Sequence, residues 1–252
     1  MRLSTRLFWQ PKAGHQPAEY EDAYWPQQEV AGEYPQFSWA IADGASESTF
    51  AALWAHLLVR AYCRGWFSAG CARQRLTDLQ NQWQTAVFNR QLSFFARRKA
   101  ETEGAAAALL GITLYGDGTW QAVAAGDCCL FQVDSEGQLR STFPLTASQS
   151  FSYRPRLLVS LASSLHQPCE LQRARGSWTM GDRIYLLTDA LAHWWLAAVE
   201  AGRKPWELVD AALEVRDMEQ LVATLRSNKS LRNDDLTLLR IQLLLKEGDE
   251  HA

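Results

Sequence analysis

The spacing of apolar residues changes several times along the chain, and each change predicts an element. Phe37 to Asp43 is a strand-length apolar run that stops at Gly44, a residue that relieves strain in turns. After it, Phe50, Leu53, Trp54, Leu57, Leu58, Ala61 and Tyr62 recur at steps of three and four, one face of a helix that starts near Ser48 or Thr49. That helix is expected to pack on a sheet. Thr77 and Gln80 have capping-box spacing, and Leu79, Trp83, Ala86, Val87 and Phe94 continue a second helix. Arg97, Arg98 and Lys99 suit the negative end of that helix dipole.

From Ala105 the period shortens. Apolar runs from Ala106 to Tyr115 and from Trp120 to Ala125 flank Gly116, Asp117 and Gly118, which predicts a β-hairpin; a strand from Cys128 to Val133 follows Gly126 and Asp127. A strand over Arg183 to Leu187 runs into Thr188 and Asp189, and helical spacing resumes from Leu191 through Val199. Helices are predicted over Trp206 to Glu214, after Pro205, and over Met218 to Leu225, before a closing strand from Leu236 to Leu245. Strand blocks and helix blocks that do not strictly alternate favour an α+β fold, an antiparallel β-sandwich flanked by α-helices. No repeat and no linker divides the chain, so a single domain is expected over residues 1–246, with a short acidic tail over 247–252.

Composition narrows the partners. Of 252 residues, 47% are hydrophobic, which fits a folded core, and the net charge of −3 offers nothing to a phosphate backbone or an anionic lipid surface. Nucleic acid and membrane are therefore not expected partners. The richest apolar stretch, Ile184 to Val199, is interrupted by Thr188, Asp189 and His193, and the first residues carry scattered charge without a leader-like apolar run. A cytoplasmic protein is expected. Cys63, Cys71, Cys128, Cys129 and Cys169 lack metal-finger spacing and read as reduced thiols, with Cys128 and Cys129 on opposite faces of one strand. The eleven Trp read as packing.

The chemistry lies in where the carboxylates fall. Glu21 and Asp22, Asp43, Asp127, Asp189, and Asp234 or Asp235 each stand at the end of an apolar run or in a turn beside one. Singly, such an Asp is more often an Asx turn or a helix cap. As a set, they can converge only if protons or a cation neutralise them, and oxygen ligands without a His pair or Cys cluster favour Mg²⁺ or Mn²⁺ over zinc.

Five short motifs, in order along most of the chain, carry a family resemblance: Glu21-Asp22-Ala23, Ala42-Asp43-Gly44, Gly126-Asp127, Leu187-Thr188-Asp189-Ala190-Leu191 and Asp234-Asp235-Leu236-Thr237. Together they resemble the metal-dependent protein phosphatases of the PPM, or type 2C-like, class in its bacterial-type branch. The resemblance implies the same sandwich, with a metal cleft at one end. It implies that Asp43 bridges two Mn²⁺ or Mg²⁺ ions, that Glu21 and the Gly44 carbonyl hold one, and that Asp189 and Asp234 hold the other. Asp22 would orient the attacking water, and Asp127 matches the position of a looser third metal. The implied activity is hydrolysis of phosphoserine and phosphothreonine in phosphorylated proteins. A cognate Ser/Thr kinase would be a further partner, and the enzyme would be a monomer. Two cations side by side can neutralise a phosphate dianion and activate water for in-line attack, so no Cys or Ser nucleophile is required.

The chain departs from the family pattern at three places, the mildest being Ala190, a small residue where the family has Gly after the later Asp. Ala45 stands where many members have a leaving-group His, so the proton would come from His15 or from water. Pro17 stands where many have a phosphate-gripping Arg, a role that Lys12 or Arg6 could take. Ser46 and Ser48 could touch substrate or cap the helix. Two further readings therefore stand beside catalysis: a phosphatase-like domain of low or no activity that binds metal, a phosphoprotein or a signalling partner, and a structural acidic cleft that recruits a partner without metal.

Overall fold

The computed structural model describes residues 1–67, 72–152, 155–162 and 170–244. The N-terminal half carries β1 (Arg2–Gln10), β2 (Ala23–Trp25), β3 (Ala31–Glu33), β4 (Gln36–Gly44), α1 (Ala51–Cys63), α2 (Ala72–Phe88) and α3 (Phe94–Thr102). Five strands follow, β5 (Ala106–Tyr115), β6 (Thr119–Ala125), β7 (Cys129–Val133), β8 (Leu139–Phe143) and the short β9 (Leu158–Val159). The chain continues through β10 (Gln172–Ser177), β11 (Arg183–Leu187), α4 (Asp189–Glu200), α5 (Pro205–Glu214), α6 (Met218–Ser227) and β12 (Leu236–Leu244).

The strands form two sheets, in the order β3-β1-β12-β11-β7-β8 and β10-β6-β5-β4-β2, with β9 also paired to β5. Every pairing is antiparallel. Three apolar layers hold the sheets and helices together. Trp39, Ile41, Leu110, Ile112, Ile184, Leu186 and Ile241 meet between the sheets. Trp54, Leu58 and Trp83 join the β4–β5 sheet to α1 and α2, while Phe131, Trp195, Trp206 and Val222 join the other sheet to α4, α5 and α6. The architecture is thus the helix-flanked antiparallel sandwich that the pattern predicts. Cys128 faces the layer between the sheets and Cys129 the helix layer, each buried and each with its thiol pKa raised by that burial.

The chain differs from the pattern locally. Thr77 does not start α2; it lies inside it, with its hydroxyl donated back to Arg73 O, so the capping-box spacing is coincidental. The long second helix is two helices, because Ser93 accepts Ala96 N–H and caps a separate α3. Helix α1 begins at Ala51 after Phe50, which is left-handed (φ 58), so neither Ser48 nor Thr49 caps it. Ser48 instead bridges loop to strand, donating to Ala45 O and accepting Ala106 N–H. Cys71, Cys169 and the predicted tail at 247–252 lie outside the described residues.

Candidate functional site

The antiparallel order brings the acidic motifs to one end of the sandwich. Strand β4 is antiparallel to β5 and β5 to β6, so β4 and β6 run alike and deliver Asp43 and Asp127 to the same edge. In the other sheet β11 is antiparallel to β7 and β12, which places Asp189, just after β11, beside the starts of both neighbours, where Asp127 and Asp234 lie. Strand β2 pairs Ala23 with Ala42, and this puts Asp22 next to Asp43.

The carboxylates act on one another. Burial, then Asp22, Asp189, Asp127 and Asp234, push the Asp43 pKa well above the usual carboxylate range. Asp22 is likewise raised well above the usual range by burial, against the hydrogen bond from Thr237, with Asp235 and Asp189 adding to the rise. Asp127 is pushed up to about 7 by burial and Asp189, and Asp234 is raised by burial and the same neighbour. Each of these Asp side chains therefore resists carrying its charge alone.

A hydrogen-bonded frame positions the cluster. Asp235, 5% exposed, accepts Lys12 N–H at 2.8 Å and Glu21 N–H at 2.7 Å, one on each carboxylate oxygen. The Thr237 hydroxyl donates to Asp22 at 2.8 Å and so takes its own hydrogen bond from Tyr20 Oη. Thr237 and Thr188 are also joined by Thr237 N–H to Thr188 Oγ1 and Thr188 N–H to Thr237 O, which ties the start of α4 to the start of β12. Asp189 opens α4, where the positive end of the helix dipole favours its charge. Gly44 is required by close approach, since a Cβ there would stand 2.5 Å from the Glu21 carbonyl oxygen.

The remaining predicted residues divide. Lys12 faces the cluster: its ammonium donates to Ser46 Oγ at 3.2 Å, and its charge lowers the pKa of Asp234. Glu21 enters through its backbone, and its carboxylate makes no hydrogen bond or ion pair among the described residues. His15 is exposed and, among the described residues, engages through its backbone N–H, on Lys12 O. Arg6 is committed to Glu29 at 3.3 Å.

Thr237 and Arg232 were not singled out from the sequence as site residues, and Asp235 stood there only as the alternative to Asp234. Thr237 and Asp235 lay in a quoted motif, but their framing role did not show there. Arg232 gave no signal; its Nη2 donates to Asp189 Oδ2 at 2.8 Å. His193, one turn beyond Asp189 on α4, shares that face, and burial followed by the Arg232 charge lowers its pKa.

The donor set suits a hard cation: all-oxygen, mutually repelling, and with Asp189 Oδ1 buried and unpartnered among the described residues. As they stand, no three His, Cys, Asp or Glu side chains among the described residues are arranged around one ion position. The fit is therefore one of chemistry and placement.

No family model matches the chain, and no curated protein matches it in sequence. Solved structures do match, over nearly the whole length. The serine/threonine phosphatase PstP/Ppp of Mycobacterium tuberculosis is 16% identical, with a TM-score of 0.61 over 97% of this chain and 100% of that one. PppA of Pseudomonas aeruginosa, described as a key regulatory component of T6SS, is 18% identical with a TM-score of 0.57 over 96% and 98%. The catalytic domain of PstP in complex with 2 manganese ions is 17% identical with a TM-score of 0.54 over 96% and 100%. The fold is that of the PPM, type 2C-like, phosphatases, as the sequence motifs imply.

Proposed function

We propose that the protein is a metal-dependent phosphoprotein phosphatase acting on phosphoserine and phosphothreonine. The observation that carries this reading is the convergence of Asp22, Asp43, Asp127, Asp189 and Asp234 at one end of the sandwich, each of Asp22, Asp43, Asp127 and Asp234 made a reluctant anion by burial and by its neighbours. Asp43, Asp189 and Asp234, with Glu21 and the Gly44 carbonyl, would hold two Mn²⁺ or Mg²⁺ ions, and Asp127 a third. Such ions supply charge neutralisation of the phosphate and activation of water.

The chain's own residues do the rest. Asp22, fixed by Thr237, orients water from within the frame. Lys12, held at Ser46, offers a positive charge at the rim for the phosphate. His15, exposed on the same loop, is the candidate proton donor to the leaving alkoxide. We place the enzyme in the cytoplasm as a monomer, one domain acting opposite a Ser/Thr kinase; among the described residues no helix is long and apolar enough to cross a membrane.

A second reading, a phosphatase-like domain that binds a phosphoprotein with little turnover, is favoured by Ala45, which stands where the family pattern has a leaving-group His. One experiment separates the two. Hydrolysis of an aryl phosphate that needs Mn²⁺ or Mg²⁺ and is abolished by EDTA and by Asp43→Asn supports the enzyme. Mn²⁺ uptake in a calorimeter without turnover supports the binding domain. Hydrolysis indifferent to both EDTA and Asp43→Asn would falsify metal dependence.

A further inference from the structure

Arg232 lies in the segment between α6 and β12, and its side chain is half exposed (51%). It holds the outer oxygen of Asp189, while the inner oxygen is buried without a partner among the described residues. Asp189 thus shows one oxygen to a guanidinium and the other to the protein interior. The segment itself is anchored at the two residues that follow Arg232. Arg226 donates to Asp234 O at 2.7 Å, and Asn233 accepts Ala13 N–H at 2.7 Å. The Arg232 charge reaches beyond its partner, favouring ionisation of Asp127 and opposing protonation of His193.

Two consequences follow from charge and shape. A divalent ion and a guanidinium on one carboxylate repel each other, so binding of either weakens the other. A guanidinium displaced from a carboxylate keeps its planar fork of donors, which matches the oxygens of a phosphate where an ammonium acts only as a point charge. Two other arginines are already engaged: Arg6 is paired with Glu29, and Arg226 donates to the Asp234 carbonyl.

We propose that Arg232 is an exchangeable cation of this site, held on Asp189 until a divalent ion takes that carboxylate, and then the bidentate ligand of the substrate phosphate. This rests on the metal-dependent reading above. It makes Arg232 an antagonist of metal binding and an aid to phosphate binding, two effects of opposite sign that a structural arginine would not combine.

The test uses the full chain, Mn²⁺ alone and then inorganic phosphate at saturating Mn²⁺, both by titration calorimetry, on the wild type, Arg232→Gln and Arg232→Lys, with thermal melts in EDTA to verify folding. Arg232→Gln is expected to bind Mn²⁺ about fivefold or more tighter and phosphate about tenfold weaker. Arg232→Lys should stay within about twofold of the wild type for Mn²⁺, yet lose phosphate affinity because the fork is gone. Unchanged or weaker Mn²⁺ binding in Arg232→Gln, or unchanged phosphate binding, overturns the proposal and leaves the phosphatase reading standing. Mn²⁺ uptake by Arg232→Gln where the wild type takes up none supports the antagonism while counting against the native protein as a metalloenzyme. No uptake by either overturns both.

Discussion

Asp235 accepts the backbone N–H of Glu21 at 2.7 Å, joining positions 214 residues apart. Its other oxygen accepts Lys12 N–H at 2.8 Å. One buried carboxylate therefore ties the Glu21-Asp22 segment and the loop after β1 to the start of β12. Asp235 belongs to the acidic run by sequence, but its oxygens are already spent on amide donors. It is the neighbouring Asp234 that is left to the cluster, with Asp189 acting on it.

Asp235→Ala leaves those amides without an acceptor. A buried donor stripped of its partner costs about 1–3 kcal/mol, so the loss for the pair is expected at about 2–4 kcal/mol. Asp235→Asn keeps one acceptor oxygen and should lose about half as much. Urea unfolding at constant m-value measures both, and a midpoint for Asp235→Ala equal to that of the wild type would refute the role of the tie.

Gly44→Ala tests the close approach of the Glu21 backbone. The added Cβ would lie 2.5 Å from the Glu21 carbonyl oxygen and 3.0 Å from Ala51 Cβ, so the strand end or the facing segment must shift. Overpacking of this kind costs about 1–3 kcal/mol. The shift falls between two motifs of the site, so the Mn²⁺-induced rise in melting temperature should shrink as well. A variant that melts as the wild type does, with an undiminished response to Mn²⁺, would show that the contact is slack.

Thr237→Val exchanges a hydroxyl for a methyl of similar size, so packing is retained while Asp22 loses its Thr237 donor and Tyr20 its nearer partner, keeping only the Leu236 carbonyl at 3.3 Å. The expected cost is about 1–3 kcal/mol, with Asp22 driven further toward its neutral form and phosphatase turnover reduced. Tyr20→Phe removes the outer link to Thr237, with the longer contact to Leu236 O, and leaves the Thr237–Asp22 bond in place; it should cost about 1 kcal/mol. Denaturation and aryl phosphate turnover measured on both variants check the order; Tyr20→Phe as damaging as Thr237→Val would contradict it.

What the sequence disclosed was what is encoded locally. An apolar run that ends in Asp-Gly or Thr-Asp marks a strand and the side chain at its end, so Asp43 and Asp189 were legible, and the order of the motifs was enough to suggest the sandwich that the neighbouring structures share. Strand β1 was not read, because Thr5 sits buried among the alternating Leu3 and Leu7, accepting Val30 N–H and blurring the apolar period. The break between α2 and α3 was missed because helical spacing carries across it, while the Ser93 cap that ends the ambiguity is one hydroxyl. Arg232 was beyond reach for a different reason. Its meaning depends on a partner 43 residues away, and a surface arginine has no sequence mark of such a contact.

The acidic site also sets a pH dependence whose sign follows from Asp127. Its pKa is raised to about 7 in the folded protein, chiefly by burial, against an ordinary value of 3.8. Between those values the native state holds a proton that the unfolded chain has released, so without metal, stability falls as pH rises through the window, by at most about 1.4 kcal/mol per pH unit from this group. Asp22, Asp43 and Asp234 are raised as well and steepen the fall. In EDTA the melting temperature is therefore expected to be higher at pH 5.5 than at pH 7.5, and Asp127→Asn should flatten the difference. A divalent ion replaces the missing protons: Mn²⁺ at about a hundredfold above its Kd adds about 2.7 kcal/mol, and it should do so at pH 7.5 far more than at pH 5.5, where protons compete. Melting curves at both pH values, with EDTA and with Mn²⁺, give the comparison. A protein that gains stability from pH 5.5 to 7.5 in EDTA would mean that these carboxylates are not held together as charges in need of neutralisation.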